Sequence, residues 1–109
     1  MSDHYHDQKD LTLFKEMRKL ASVDFEAWVN LDSIVRRTDG AVPHKYRELI
    51  AVAVAVTTQC PYCIEVHAKG AKAAGASREE LVEAAFIAVA LRSSGAATHG
   101  AMALKFFGE

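Results

Sequence analysis

The stretch PHKYRELIAVAVAVTTQCPYC, Pro43 to Cys63, decides the fold class. Its middle, Leu49 to Val56, alternates alanine with valine, a pattern that can be read as a strand. The flanks decide against that reading. Pro43 suits the first turn of a helix, KYRELI is a helical opening, and about His44 to Thr58 is long for a strand. The stretch therefore predicts a helix buried on most sides.

Working toward the C-terminus, Pro61 suits the first position of the next helix, with Cys60 as its cap residue. That helix is expected to run to about Ala74, with Gly75 as its left-handed stop. In SREE, Ser77 caps a further helix and Glu80 reaches back to close a capping box. This helix is read from Arg78 to about Arg92, with SSG breaking it and a last helix over Ala96 to Phe107. Toward the N-terminus, Phe25, Trp28, Leu31, Ile34 and Val35 recur at helical steps, and that helix is expected to end near Asp39-Gly40. Leu11, Phe14, Met17 and Leu20 mark a short amphipathic helix before it. The sum is an all-α chain of about six helices. Residues 1–10 are read as a loose N-terminus and residues 11–109 as a single domain.

Composition agrees with a small globular chain. Its 109 residues suffice for one core, half of them are hydrophobic, and the net charge is −1. No Lys/Arg block marks a nucleic-acid or acidic-membrane partner. The polar opening MSDHYHDQKD has no apolar targeting region, and the longest apolar run, Leu49 to Val56, is too short to span a bilayer. The expectation is a cytoplasmic protein with no membrane partner. Two helices apolar on most sides are many for so short a chain, which predicts burial in a homo-oligomer.

Cys60 and Cys63 are the only cysteines, two residues apart, and His67 follows four residues after the second. In a reducing compartment such a pair is more often catalytic or metal-binding than a structural staple. At a cap and in a first turn, both thiols meet the positive end of the helix dipole and unpaired backbone N–H groups, which favours the thiolate. His67, one turn beyond Cys63 on the same face, can accept its proton or hold the thiolate as an ion pair. One thiol can then attack and the other resolve it to a disulfide. If the helices on either side of Thr57–Cys60 pack antiparallel, Glu48 approaches His67 and orients the imidazole. Other readings stand beside this one. Zinc could bind Cys60, Cys63 and His67 with Glu48 or His99 as fourth ligand, or the cysteines could be inert core residues. Covalent haem attachment is excluded, because Ile64 rather than histidine follows Cys63.

Glu48, Cys60, Cys63 and His67 together form the pattern Glu-x11-Cys-x2-Cys-x3-His. With the text around it, from about Val42 to Gly100, this resembles the alkylhydroperoxidase-D-like branch of the carboxymuconolactone decarboxylase family. The resemblance implies an all-α fold, trimers or hexamers of small subunits, and a thiol peroxidase or disulfide reductase activity. It implies that Cys63 is the peroxide-attacking thiol, Cys60 the resolving thiol, and His67 with Glu48 a proton relay. No bound cofactor is implied, only an external dithiol reductant such as a lipoyl group or a thioredoxin-like protein. One position departs: the prototype peroxidase has histidine immediately before its second cysteine, and here Tyr62 stands there. A phenol is a far weaker base than imidazole near neutral pH but still donates or passes on a hydrogen bond. The decarboxylase branch, which lacks the cysteine pair, makes a lyase the alternative activity.

Overall fold

A computed structural model describes residues 5–109, and every regular element among them is helical. A 3-10 helix, Gln8–Leu13, leads into α1 (Phe14–Leu20), α2 (Ser22–Val35), α3 (His44–Thr58), α4 (Pro61–Ala73) and α5 (Arg78–Phe107). The chain falls into two compact units that divide between Arg47 and Glu48.

In the first unit, an aromatic cluster carries the packing. Phe14, Phe25 and Trp28 meet edge to face with ring centroids 5.4 to 5.7 Å apart, the arrangement the ring quadrupoles favour. Phe25 is buried, and the Arg18 guanidinium lies 5.1 Å from its ring centre. Trp28 is a packing residue, half exposed on this cluster. Two expectations are corrected here. Asp7 to Asp10, read as loose, close a capping box: the Asp7 carboxylate accepts from the Lys9 amide at 2.8 Å, and Asp10 accepts from the Asp7 amide at 3.0 Å. Helix α2 stops at Val35 rather than near Asp39-Gly40. Arginines take the carbonyls where the helix would have continued. Arg37 donates to Ile34 O at 2.9 Å, and Arg47 donates to Val35 O and Val42 O, each at 2.8 Å.

In the second unit, Leu49, Val52 and Ala55 line the buried side of α3, with Ala71 of α4 and Ala88 of α5 also buried. The alternating segment is thus helical, and the three-residue spacing of its buried side chains outweighs the alternation. Helix α4 ends as its sequence predicts. Gly75 takes φ +92°, its amide donates to Lys72 O at 3.1 Å, and the Ala76 amide donates to Ala71 O at 2.9 Å, the paired closure of a left-handed stop. The capping box of α5 is also present, with Glu80 N–H on Ser77 Oγ at 3.0 Å and Ser77 N–H on Glu80 Oε1 at 2.9 Å.

The expected break at Ser93-Ser94-Gly95 is absent, and α5 runs unbroken for 30 residues. The described chain therefore has five α-helices and one 3-10 helix, not six helices of one kind. Both serine hydroxyls donate back to Ala90 O at 2.9 Å, so neither competes for a non-helical backbone. An interior glycine costs only ~1 kcal/mol relative to alanine, too little to break so long a helix. The unbroken α5 is long and apolar enough to cross a membrane by length and composition, and almost none of its most apolar window is buried in this chain. Phe86, Ile87, Leu91, Leu104 and Phe107 are mostly exposed.

Candidate active site

The site is built where α3 turns into α4. Gln59 takes a left-handed φ of 57°, which ends α3 and lets the Cys60 amide reach back to Ala55 O at 3.1 Å. A side chain with a Cβ pays about 1 kcal/mol for that conformation. The Arg92 guanidinium of α5 donates to Thr57 O, one of the carbonyls that the end of α3 leaves without a helical partner. Cys60 follows with extended backbone as the N-cap of α4, and Pro61 holds the first helical position.

Both sulfurs are thereby delivered to a helix N-terminus. The Cys63 amide donates to Cys60 Sγ at 3.3 Å. The two cysteines are joined as a disulfide, their Cα atoms 5.3 Å apart, within the usual span for such a bridge. Cys63 is exposed and Cys60 half-buried. Tyr62 sits between them in the first turn of α4, also half-buried.

The second half of the site is a carboxylate–imidazole pair. Glu48 lies ten residues before the end of α3 and His67 six residues into α4. Because α4 returns alongside α3, His67 Nδ1 and Glu48 Oε2 come within 2.8 Å. Glu48 is only 3% exposed and the His67 side chain 16%. A carboxylate can only accept, so Nδ1 donates the proton of this bond and the neutral ring keeps its acceptor lone pair on Nε2. His67 and Cys63, four residues apart on α4, lie on one face of that helix. The arrangement can take a proton at Nε2, stabilise the resulting imidazolium through Glu48, and do so one turn below a pair of thiols.

The remaining sequence candidates lie elsewhere or do other work. His99 is exposed, and its Nδ1 bonds to its own helix at Gly95 O, 2.8 Å away. Glu65 pairs with Lys69 along the surface of α4 at 3.7 Å. His44 opens α3, His6 lies edge-on to Tyr5, and His4 lies outside the described residues. Among the described residues no three His, Cys, Asp and Glu side chains form a group that could hold a metal ion. Two contributors escaped the sequence reading. Gln59 carries no local signal for a left-handed residue. Arg92 stands as a lone cation in an apolar run, which marks a side chain with a partner, but nothing in the sequence names that partner as Thr57 O. A groove of about 390 Å³ between the end of α3 and α5 is lined by Thr57, Gln59, Val89 and Arg92, among others.

Comparison with known proteins agrees with this architecture. The chain is 39% identical over 109 residues to a protein of Paracoccus denitrificans described as uncharacterized protein 4 in cox locus, covering all of this chain and 96% of that one. An uncharacterized protein of Cupriavidus necator is 36% identical over 69 residues, 63% of this chain and 61% of its own length. Among solved structures, one from Methanobacterium thermoautotrophicum superposes with a TM-score of 0.71 at 28% identity, covering 81% of this chain and 95% of that chain. The apo form of a carboxymuconolactone decarboxylase family protein from Legionella pneumophila superposes with a TM-score of 0.68 at 33% identity, covering 93% of each chain. The carboxymuconolactone decarboxylase family model matches residues 25–106, well over half of the chain. An all-α chain whose close Cys60-x-x-Cys63 pair opens a helix, matched over that length, belongs to the carboxymuconolactone decarboxylase family.

Proposed function

We propose that the protein is a thiol-dependent peroxidase of the alkylhydroperoxidase-D-like type, reducing hydroperoxides through Cys60 and Cys63. The observation that carries the reading is the Glu48–His67 hydrogen bond, made by a histidine one turn below Cys63 on the same helix face. A structural pair of cysteines has no use for a buried carboxylate–imidazole pair beside it, whereas a nucleophilic thiol needs a base.

The cycle follows from these positions. His67 Nε2 takes the Cys63 proton, and the helix N-terminus favours the thiolate. The thiolate attacks the terminal peroxide oxygen and the O–O bond breaks. His67 returns the proton to the leaving oxygen, giving an alcohol or water and leaving Cys63 as a sulfenic acid. The Cys60 thiol condenses with that sulfenic acid, forming the disulfide and releasing water. An external dithiol, a lipoyl group or a thioredoxin-like protein, restores both thiols by two exchanges. In this reading the protein works in the reducing cytoplasm, binds no cofactor, and assembles as a homo-oligomer that covers the apolar side chains of α5.

The test is rapid mixing of the fully reduced protein with an organic hydroperoxide while thiols are counted. The expected result is loss of two thiols per subunit for each peroxide consumed, far faster than with a free dithiol. Loss no faster than a free dithiol overturns the reading and turns attention to lyase assays, which the family's name supports.

Tyr62 is proposed to tune proton transfer beside the nucleophile, because it stands between the cysteines in the first turn of α4. Imidazole exchanges protons near neutral pH and phenol does not. Tyr62→His is therefore expected to raise the rate of peroxide reduction by roughly tenfold. An unchanged rate removes Tyr62 from the relay.

A further inference from the structure

Gly70 is an anomaly in its own helix. It sits in the interior of α4 amid Ala68, Ala71, Ala73 and Ala74, where alanine is the better helix former and glycine weakens the element. Its φ is not in the left-handed region, so no backbone requirement explains it. The space around it does. A Cβ built on Gly70 would stand 2.6 Å from Glu48 Oε2, 2.8 Å from Glu48 Cδ and 3.2 Å from Glu48 Oε1. The three nearest atoms are thus the whole carboxylate, and its Oε2 is the atom that His67 Nδ1 meets at 2.8 Å. Gly70 is three residues beyond His67, on the same face of α4.

We infer that Gly70 is a positioning residue for the Glu48–His67 pair: its missing side chain forms the seat that holds the carboxylate under the imidazole. This rests on the proposed peroxidase reading for its consequence in catalysis, but not for its geometry. The three atoms nearest to a methyl group at position 70 all belong to the end of a flexible side chain. The helix therefore tolerates it, and the carboxylate moves away. Glu48 is nearly fully buried, so its displaced carboxylate has little room to return to Nδ1 by another path. The substitution that improves the helix thus damages the site.

The experiment compares the full-length chain with its G70A variant. Both are labelled with nitrogen-15 at histidine, and the shifts of the His67 ring nitrogens report which nitrogen carries the proton. In the native protein they are expected to show the proton on Nδ1. In G70A they are expected to move toward a mixture of the two tautomers, while helicity is retained and peroxide-driven thiol loss slows by about tenfold or more. Unchanged ring-nitrogen shifts overturn the inference whatever the activity. Shifted nitrogens with an unchanged rate of thiol loss uphold the seat and overturn the relay in the peroxidase reading instead. Melting temperatures supply a second measure that needs neither activity nor a native-like pair. With the carboxylate removed by Glu48→Ala, adding Gly70→Ala is expected to raise the melting temperature by roughly 4 °C, the gain expected of alanine in a helix. If Gly70→Ala lowers it equally with and without Glu48, the methyl group clashes with something else and the inference falls.

Discussion

Cys63→Ser is expected to bring peroxide consumption down to the rate of buffer alone, with the helices intact. Serine keeps the size of the side chain but not its nucleophilicity near neutral pH. Cys63 is exposed, so the change opens no cavity. The partner variant separates attack from resolution. In Cys60→Ser the first step proceeds, because Cys63, His67 and Glu48 are all present. It halts at the sulfenic acid, for want of the thiol whose Cα lies 5.3 Å from that of Cys63. One thiol is then lost per subunit, and a sulfenic-acid trapping reagent labels Cys63. The measurement is single-turnover thiol counting with mass spectrometry of the trapped protein. Equal loss of activity in both variants, with no trapped adduct in Cys60→Ser, would reverse or erase the assigned order of the two sulfurs.

The second large effect is on stability and has an unusual asymmetry. His67→Leu removes the group that donates to Glu48 and leaves a carboxylate that is 3% exposed without that hydrogen bond. Breaking a buried pair from one side costs about 3 kcal/mol. Removing the charge as well should recover most of the loss, since an apolar pair of similar volume carries no desolvation penalty. The expected order of stability is therefore native, then the double variant Glu48→Leu/His67→Leu close to it, then His67→Leu well below. Chemical denaturation of the three proteins reads this directly. A double variant as unstable as His67→Leu would show that the pair contributes through shape and packing rather than through its charge. His67→Leu should also slow thiol oxidation, because it removes the base of the proposed proton relay.

Much of this site was legible from spacing. Pro61, the two cysteines and the serine capping box carry their conformations with them, and both helix starts they mark, of α4 and α5, fall where the local chemistry puts them. The pairing of Glu48 with His67 also follows from counting turns on two helices joined by a short turn, once the helices are granted to lie side by side. What the local pattern misread were the places where a distant or backward hydrogen bond overrides it. Helix α2 stops early because Arg47, twelve residues beyond Val35, takes the carbonyl of Val35. Helix α5 fails to stop because Ser93 and Ser94 turn their hydroxyls onto Ala90 O, so residues that look like a breaker are satisfied within the helix.

The sequence by itself determined that this is an all-helical chain with two thiols at a helix start and an imidazole one turn below them. Periodicity, proline placement and capping act over three or four residues and need no partner. Only the tertiary structure decided that the carboxylate of α3 touches that imidazole, that Arg92 fastens the turn leading to Cys60, and that Gly70 leaves room for Glu48. Those contacts join residues 19, 35 and 22 positions apart. At such separations the chain can bring many pairs together, and side-chain packing alone selects which ones meet.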